Sequence, residues 1–180
     1  MDIRTRERLA ALFHHRWAVP ILARLHRDAG AKFVTLAKRL HLSRDTLSAT
    51  LAALIEYGWV LRNPGYGHPL RPEYILTPNG AKLGPWCVRA MYVLNALGAR
   101  DVCLRKWSIP VAFVLAAGRV RFSEVRNALP DLTARALTLT LKRLQAAGLV
   151  ERIVSHEYPP ATYYLLTPCG RRLHRLAHAF

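Results

Sequence analysis

Apolar residues recur at helical spacing through most of this chain, and short runs of alternating, β-branched residues interrupt them at regular places. The clearest unit lies between Phe122 and Gly170. Leu137, Leu141 and Leu144 fall at i, i+4 and i+7, so they share one face of a helix and leave Arg135, Thr138, Leu139, Lys142 and Arg143 turned away from it. Gly148 supplies the stop at the C-terminal end. A shorter amphipathic segment precedes this helix across a tight turn, Pro130-Asp131-Leu132-Thr133. Two strand-like runs follow, 149–154 and 162–166, and the prolines between them confine residues 156–161 to a turn or loop tip.

The pattern occurs twice. Arg16-Trp17-Ala18-Val19-Pro20 returns as Lys106-Trp107-Ser108-Ile109-Pro110, a shift of 90 residues. From Leu47 and Leu137 onward Thr50, Leu51, Leu54, Gly58, Val60, Arg62, Tyr74, Thr77, Gly80 and Leu83 are met again as Thr140, Leu141, Leu144, Gly148, Val150, Arg152, Tyr164, Thr167, Gly170 and Leu173. In the first copy the periodicity predicts a basic helix over 3–15, a buried one over 17–27 and a third over 34–40. A fourth runs from Arg44 to Tyr57, with Ser43 as its N-cap and Leu47, Leu51, Leu54 and Ile55 as its core face. Strands follow over 59–62 and 73–76, around a glycine- and proline-rich tip at 63–69. Thr77 and Pro78 restart a helix that reaches Leu97, with Pro85 as a candidate break; it is apolar around much of its circumference, as expected for packing between two bodies. Gly98-Ala99-Arg100-Asp101 is a short linker, and a closing helix is expected over 168–180. Each copy has helix, turn, helix and hairpin in the order a duplex-reading winged helix-turn-helix requires. The expected fold is mainly α with small β wings: two tandem winged helix-turn-helix domains in a pseudo-twofold arrangement, 1–97 with the central packing helix and 98–180.

Composition narrows the partner. The 180 residues carry 27 Lys plus Arg against 11 Asp plus Glu, a formal charge of +16. Up to residue 90 there are 14 basic and 6 acidic residues, and beyond it 13 and 5, so the excess is a property of both halves and not of a tail. Such a surface points first to nucleic acid and next to an anionic membrane. A hydrophobic fraction of 52% is enough for packed cores, no apolar run approaches the ~18 residues of a membrane span, and residues 1–10 are too charged for a signal peptide. A cytoplasmic, nucleoid-associated protein without membrane partners is expected. Cys87, Cys103 and Cys169 are odd in number and widely spaced, which argues against a disulfide framework.

The residues Lys106-Trp107, Arg121-Phe122-Ser123-Glu124-Val125, Ala128-Leu129-Pro130, Leu137-Thr138, Leu141, Leu144, Gly148-Leu149-Val150-Glu151-Arg152, Pro159-Pro160, Tyr164 and Leu166-Thr167 together resemble the HxlR-type winged helix-turn-helix regulators of bacteria and archaea. The first copy is a more degraded match, retaining Arg16-Trp17, Lys32-Phe33, Leu47, Leu54, Gly58, Val60, Arg62, Tyr74, Leu76-Thr77 and Gly80. The resemblance implies a transcription factor. Members of that family usually carry one such domain and work as homodimers through their terminal helices, so two fused copies imply a dimer made within one polypeptide, as a monomer or as a further homodimer. A redox-sensing branch has a cysteine near the start of the domain; no cysteine precedes Trp17 here and Cys103 stands closer to Trp107 than that pattern places it, so the redox function is not carried over.

The candidate base-reading residues are Arg135, Thr138, Leu139 and Lys142 of the second copy, with Arg44 and Ser48 of the first. Asp45, Ser48, Ala49 and Ala52 replace the second copy's four, leaving a carboxylate and no cation at the centre of the first face. The first head is therefore either a weaker, differently specific reader or a scaffold that has lost DNA contact. Candidate phosphate contacts are Lys32, Lys38, Arg39, Arg62 and Arg71, and Arg119, Arg121, Arg126, Arg143 and Arg152. His174 and His178 share a helical spacing near Cys169, but the local sequence supplies no fourth ligand and no metal is expected. No nucleophile–base constellation, paired carboxylates, phosphate-cradling loop or dinucleotide fingerprint is present, so neither an enzyme nor a cofactor is expected. A small-molecule effector in a hydrophobic cavity remains open. The competing readings are a winged-helix protein-interaction module and a replication or partition initiator.

Overall fold

The structure, a computed structural model, describes residues 3–63, 73–156, 158 and 160–177, with no side-chain account at 3–8, 73, 174, 175 and 177. It divides into two compact units, one of residues 15–92 and one of residues 1–14 with 93–180.

The unit 15–92 holds α2 (Ala18–Arg27), β1 (Ala31–Lys32), α3 (Phe33–Leu40), α4 (Arg44–Glu56), β2 (Val60–Asn63), β3 (Glu73–Leu76) and most of α5 (Pro78–Ala96). Its sheet runs β1-β3-β2, all antiparallel, with Val60 opposite Leu76 and Ala31 opposite Tyr74. Pro20 lies in the first turn of α2, where its missing N–H has no acceptor to satisfy. The core face of α4 is Leu47, Thr50, Leu51 and Leu54; Ile55, expected among them, is 40% exposed because it lies a step around the helix from Leu54. α5 passes through Pro85 without a break. Its apolar circumference is only partly covered: Trp86, Cys87, Ala90 and Leu94 are buried, whereas Tyr92 is 71% exposed.

The other unit repeats the plan with α7 (Ser108–Leu115), β4 (Val120–Arg121), α8 (Phe122–Ala128), α9 (Ala134–Ala146), β5 (Val150–Val154), β6 (Thr162–Leu166) and α10 (Arg171–Ala177), its sheet running β4-β6-β5. α7 reads SIPVAFVL, apolar on every side, and it is the hub: α8, α9, α10 and β6 all pack against it. α1 (Ile3–His14), although it precedes the first copy, also packs on α7, and its Leu9, Leu12 and Phe13 are buried. The stretch ninety residues later holds the end of α5 and the short α6 (Arg100–Cys103). The two-residue strands β1 and β4 are too short to show an alternation, so nothing in the sequence pattern separated them from the turns beside them.

The repeated Gly, Thr and Gly have one explanation. Gly148 ends α9 with φ +67°, and the hydroxyl of Thr167, at the end of β6, donates to the Gly148 carbonyl at 2.7 Å while accepting from Gly170 N at 3.0 Å. The Thr167 amide donates to the Leu149 carbonyl at 3.1 Å. In the first unit Thr77 makes the same contacts with Gly58, Gly80 and Trp59, at 2.6, 3.0 and 3.1 Å. This clamp ties the C-terminus of the second helix, the root of the wing and the start of the last helix together. Thr167→Val, which keeps the shape and removes both hydroxyl hydrogen bonds, is expected to cost about 1–2 kcal/mol. Urea unfolding checks it, as a lower midpoint at unchanged slope.

Candidate nucleic-acid interface

The interface is built from α9 outward. Thr133 caps the helix, its hydroxyl oxygen accepting from Ala136 N at 3.2 Å, and so satisfies one of the free amides of the first turn. With Leu137, Thr140, Leu141 and Leu144 anchored in the core, Arg135, Thr138, Leu139 and Lys142 all stand exposed on the opposite side. Leu139 is 45% exposed among these polar neighbours. The Thr138 hydroxyl donates to the Ala134 carbonyl at 2.9 Å, which leaves the hydroxyl oxygen and the methyl group to face outward. Arg143 is half-buried.

On α4 Ser43 is the N-cap, accepting from Thr46 N at 3.3 Å. Arg44, Asp45, Ser48, Ala49 and Ala52 are exposed, so the face read from the sequence, with a carboxylate and no cation at its centre, is the one presented.

The wings place further cations. Arg121 leads into α8 and is half of a pair: its guanidinium donates to the Tyr163 hydroxyl at 2.9 Å and lies 5.2 Å from that ring's centroid, while its backbone N–H donates to the Glu124 carboxylate. Tyr163 is not among the candidate phosphate contacts read from the sequence; its directly opposed register with Arg121 depends on the two-residue strand β4. In the first copy the corresponding register pair is Lys32 and Glu73. Arg152 reaches Thr162 at 3.4 Å across the hairpin. Arg119, Arg126, Lys32, Lys38, Arg39 and Arg62 are exposed, and Arg71 lies outside the described residues. Lys38 and Arg39 are brought together with Val34, Thr35 and His41 around an open groove of about 560 Å³.

Cys103 is buried, and burial pushes its thiol up to about 12; Cys87 is buried and raised further, while Cys169 is exposed. A raised value means that the neutral thiol persists at physiological pH, the opposite of what a reactive cysteine needs. Titration of the native protein with an aromatic disulfide at pH 8 is expected to consume one thiol promptly and the other two only after denaturant is added. Prompt loss of all three would contradict the burial.

A family model described as HxlR-like helix-turn-helix matches residues 12–98 and again residues 102–180. The chain belongs to that family. It is 42% identical over 73 residues to the HTH-type transcriptional regulator YybR of Bacillus subtilis, covering 41% of this chain and 58% of that one. It is 42% identical over 66 residues to an HTH-type transcriptional regulator of Methanothermobacter thermautotrophicus, covering 37% and 50%. The chain thus spans only part of the length of the first of its curated relatives. Among solved structures the oxidised form of the redox regulator HypR is 36% identical, with 50% of this chain and 87% of that one covered and a TM-score of 0.42. The family's helix-turn-helix therefore stands twice in one polypeptide, each copy mainly helical with a small antiparallel wing. Among the described residues no helix is long and apolar enough to cross a membrane, and no cluster of three metal-ligating side chains is found.

Proposed function

We propose that this chain binds double-stranded DNA and regulates transcription, acting as a single-chain pseudo-dimer of two winged heads, 1–97 and 98–180 in sequence. The observation that carries the reading is the outward face of α9. A capped helix, rigidly backed by four buried residues, presents Arg135, Thr138, Leu139 and Lys142 together, and among the described residues neither cation meets a carboxylate. Arg and Lys suit guanine edges, and Thr and Leu suit a thymine methyl. Arg121, Arg126, Arg152 and their counterparts on the first head would contact phosphates and fix orientation. The relatives' printed description as HTH-type transcriptional regulators supports the regulatory role.

Because α4 and α9 present different chemistry, one chain should select an asymmetric site, with the second head as the specific reader. The test is selection of duplexes from a random library by the full chain, followed by fluorescence anisotropy across a salt series. An asymmetric consensus bound by one chain is expected. If about six phosphates are contacted, affinity falls roughly 10³-fold between 50 and 200 mM salt. No binding at low salt would sink the proposal, and a palindrome bound by two chains would sink the pseudo-dimer while leaving DNA binding intact.

A further inference from the structure

The first unit carries a second chemically distinctive surface, lined by His26 and Arg27 at the end of α2 and by Pro85, Val88, Arg89 and Tyr92 along α5. These residues frame an open groove of about 620 Å³, within the usual ~300–1,000 Å³ of small-molecule sites. Two kinds of wall meet there. Pro85, Val88 and the ring of Tyr92, 71% exposed, make an apolar side. Arg27 and Arg89 add two guanidinium groups to the lining, and among the described residues no carboxylate lines the groove. Asp28, the nearest acid in sequence, is held by Arg24 one turn back, so it does not neutralise Arg27.

The groove is shaped by a residue choice peculiar to this copy. The His26 ring lies directly on α5 at Gly84, where any Cβ would come within 2.4 Å of the imidazole Nδ1. The corresponding positions of the second copy are Ala116 and Ala117 for His26 and Arg27, and His174 for Gly84. The pair of helices is common to both copies, whereas Arg27 and the glycine seat for the histidine belong to the first alone.

The geometry points to a binding site for a small carboxylate-bearing molecule with a flat apolar body. The guanidinium groups of Arg27 and Arg89 take the carboxylate, for which their planar forks are suited, and Tyr92, Val88 and Pro85 cover the body. The site does not depend on the DNA reading, and its test contains no DNA until the last step.

Calorimetry on the full chain with 1-naphthoate as probe is expected to show saturable one-to-one binding, at least tenfold tighter than 1-naphthamide and than inorganic phosphate. Arg27→Ala with Arg89→Ala, and separately Tyr92→Ala, should each weaken naphthoate at least tenfold with unchanged thermal melting, since all three side chains are exposed. Grafting the second copy's residues, His26→Ala with Arg27→Ala, should do the same. Equal affinity for the amide or for phosphate would overturn the proposal, as would full binding by the variants. A final measurement asks whether the Arg27, Arg89 variant binds duplex DNA like the unaltered protein in the absence of naphthoate. A loss greater than threefold would make these arginines backbone contacts and also overturn the site.

Discussion

Replacing Arg135 and Lys142 together with alanine is expected to lower affinity for the selected duplex by about two orders of magnitude while reducing binding to unrelated duplexes far less. Each good contact from such a side chain to a base edge contributes ~1–3 kcal/mol of discrimination, so losing two in the lower half of that range, ~1–2 kcal/mol each, removes roughly 2–4 kcal/mol, or about 30- to 1,000-fold. The fold should be indifferent to the change. Both side chains are exposed, and the four residues that fix α9 to the core are untouched, so stability should move by less than ~0.5 kcal/mol. The comparison that gives the result meaning is Arg44→Ala with Ser48→Ala on α4. If the first head is a scaffold, that pair leaves affinity and site selection unchanged. If it reads DNA weakly, selection relaxes on one side of the site only. Equal binding of specific and unrelated duplexes by the Arg135, Lys142 variant, with overall affinity preserved, would show that charge elsewhere on the surface does the binding and that α9 is not the reader.

The difference between the two heads was visible in the sequence because the repeat supplies its own control. Once Leu47, Leu51 and Leu54 are set against Leu137, Leu141 and Leu144, the core positions are fixed by periodicity, and every position between them is compared at constant geometry. Asp45 against Arg135 and Ala52 against Lys142 then stand out. The caps Ser43 and Thr77 were legible for a similar reason, since a hydroxyl residue ahead of an apolar helical run has one common use. Other features depend on partners distant in sequence. Whether Ile55 is buried depends on what faces it, and a residue adjacent to the core stripe can fall on either side. The pairing of Arg121 with Tyr163 requires a strand of two residues whose existence is settled by β6 and not by its own composition. The packing of α1 on α7 was hidden most thoroughly. Apolar periodicity says that Leu9, Leu12 and Phe13 want a partner, but it carries no information on which copy provides it.

The clamp at the root of each wing predicts the largest effect on folding, and it ranks two glycines that look equivalent in sequence. Gly170→Ala is expected to cost about 3 kcal/mol or more, and Gly148→Ala only about 1. The two act through different physics. Gly148 has φ +67° with nothing within 4 Å of where a Cβ would stand, so an alanine there meets only the intrinsic cost of the left-handed conformation. At Gly170 a Cβ would sit 2.0 Å from the Leu149 carbonyl oxygen, a backbone atom that cannot rotate aside. That same carbonyl accepts the Thr167 amide at 3.1 Å, so retreat of the strand would break the clamp along with the overlap. For a unit of about 100 residues, 1 kcal/mol shifts the melting temperature by ~4–8 °C. Gly170→Ala should therefore melt more than 10 °C lower, with Gly148→Ala intermediate. The first unit allows an internal replicate, because Gly80 would bring its Cβ 1.9 Å from the Trp59 carbonyl oxygen while Gly58 is open in the same way as Gly148. Calorimetry of the four single variants tests the ranking twice. If Gly148→Ala and Gly58→Ala proved as costly as their partners, backbone conformation and not close approach would be what these repeated glycines serve.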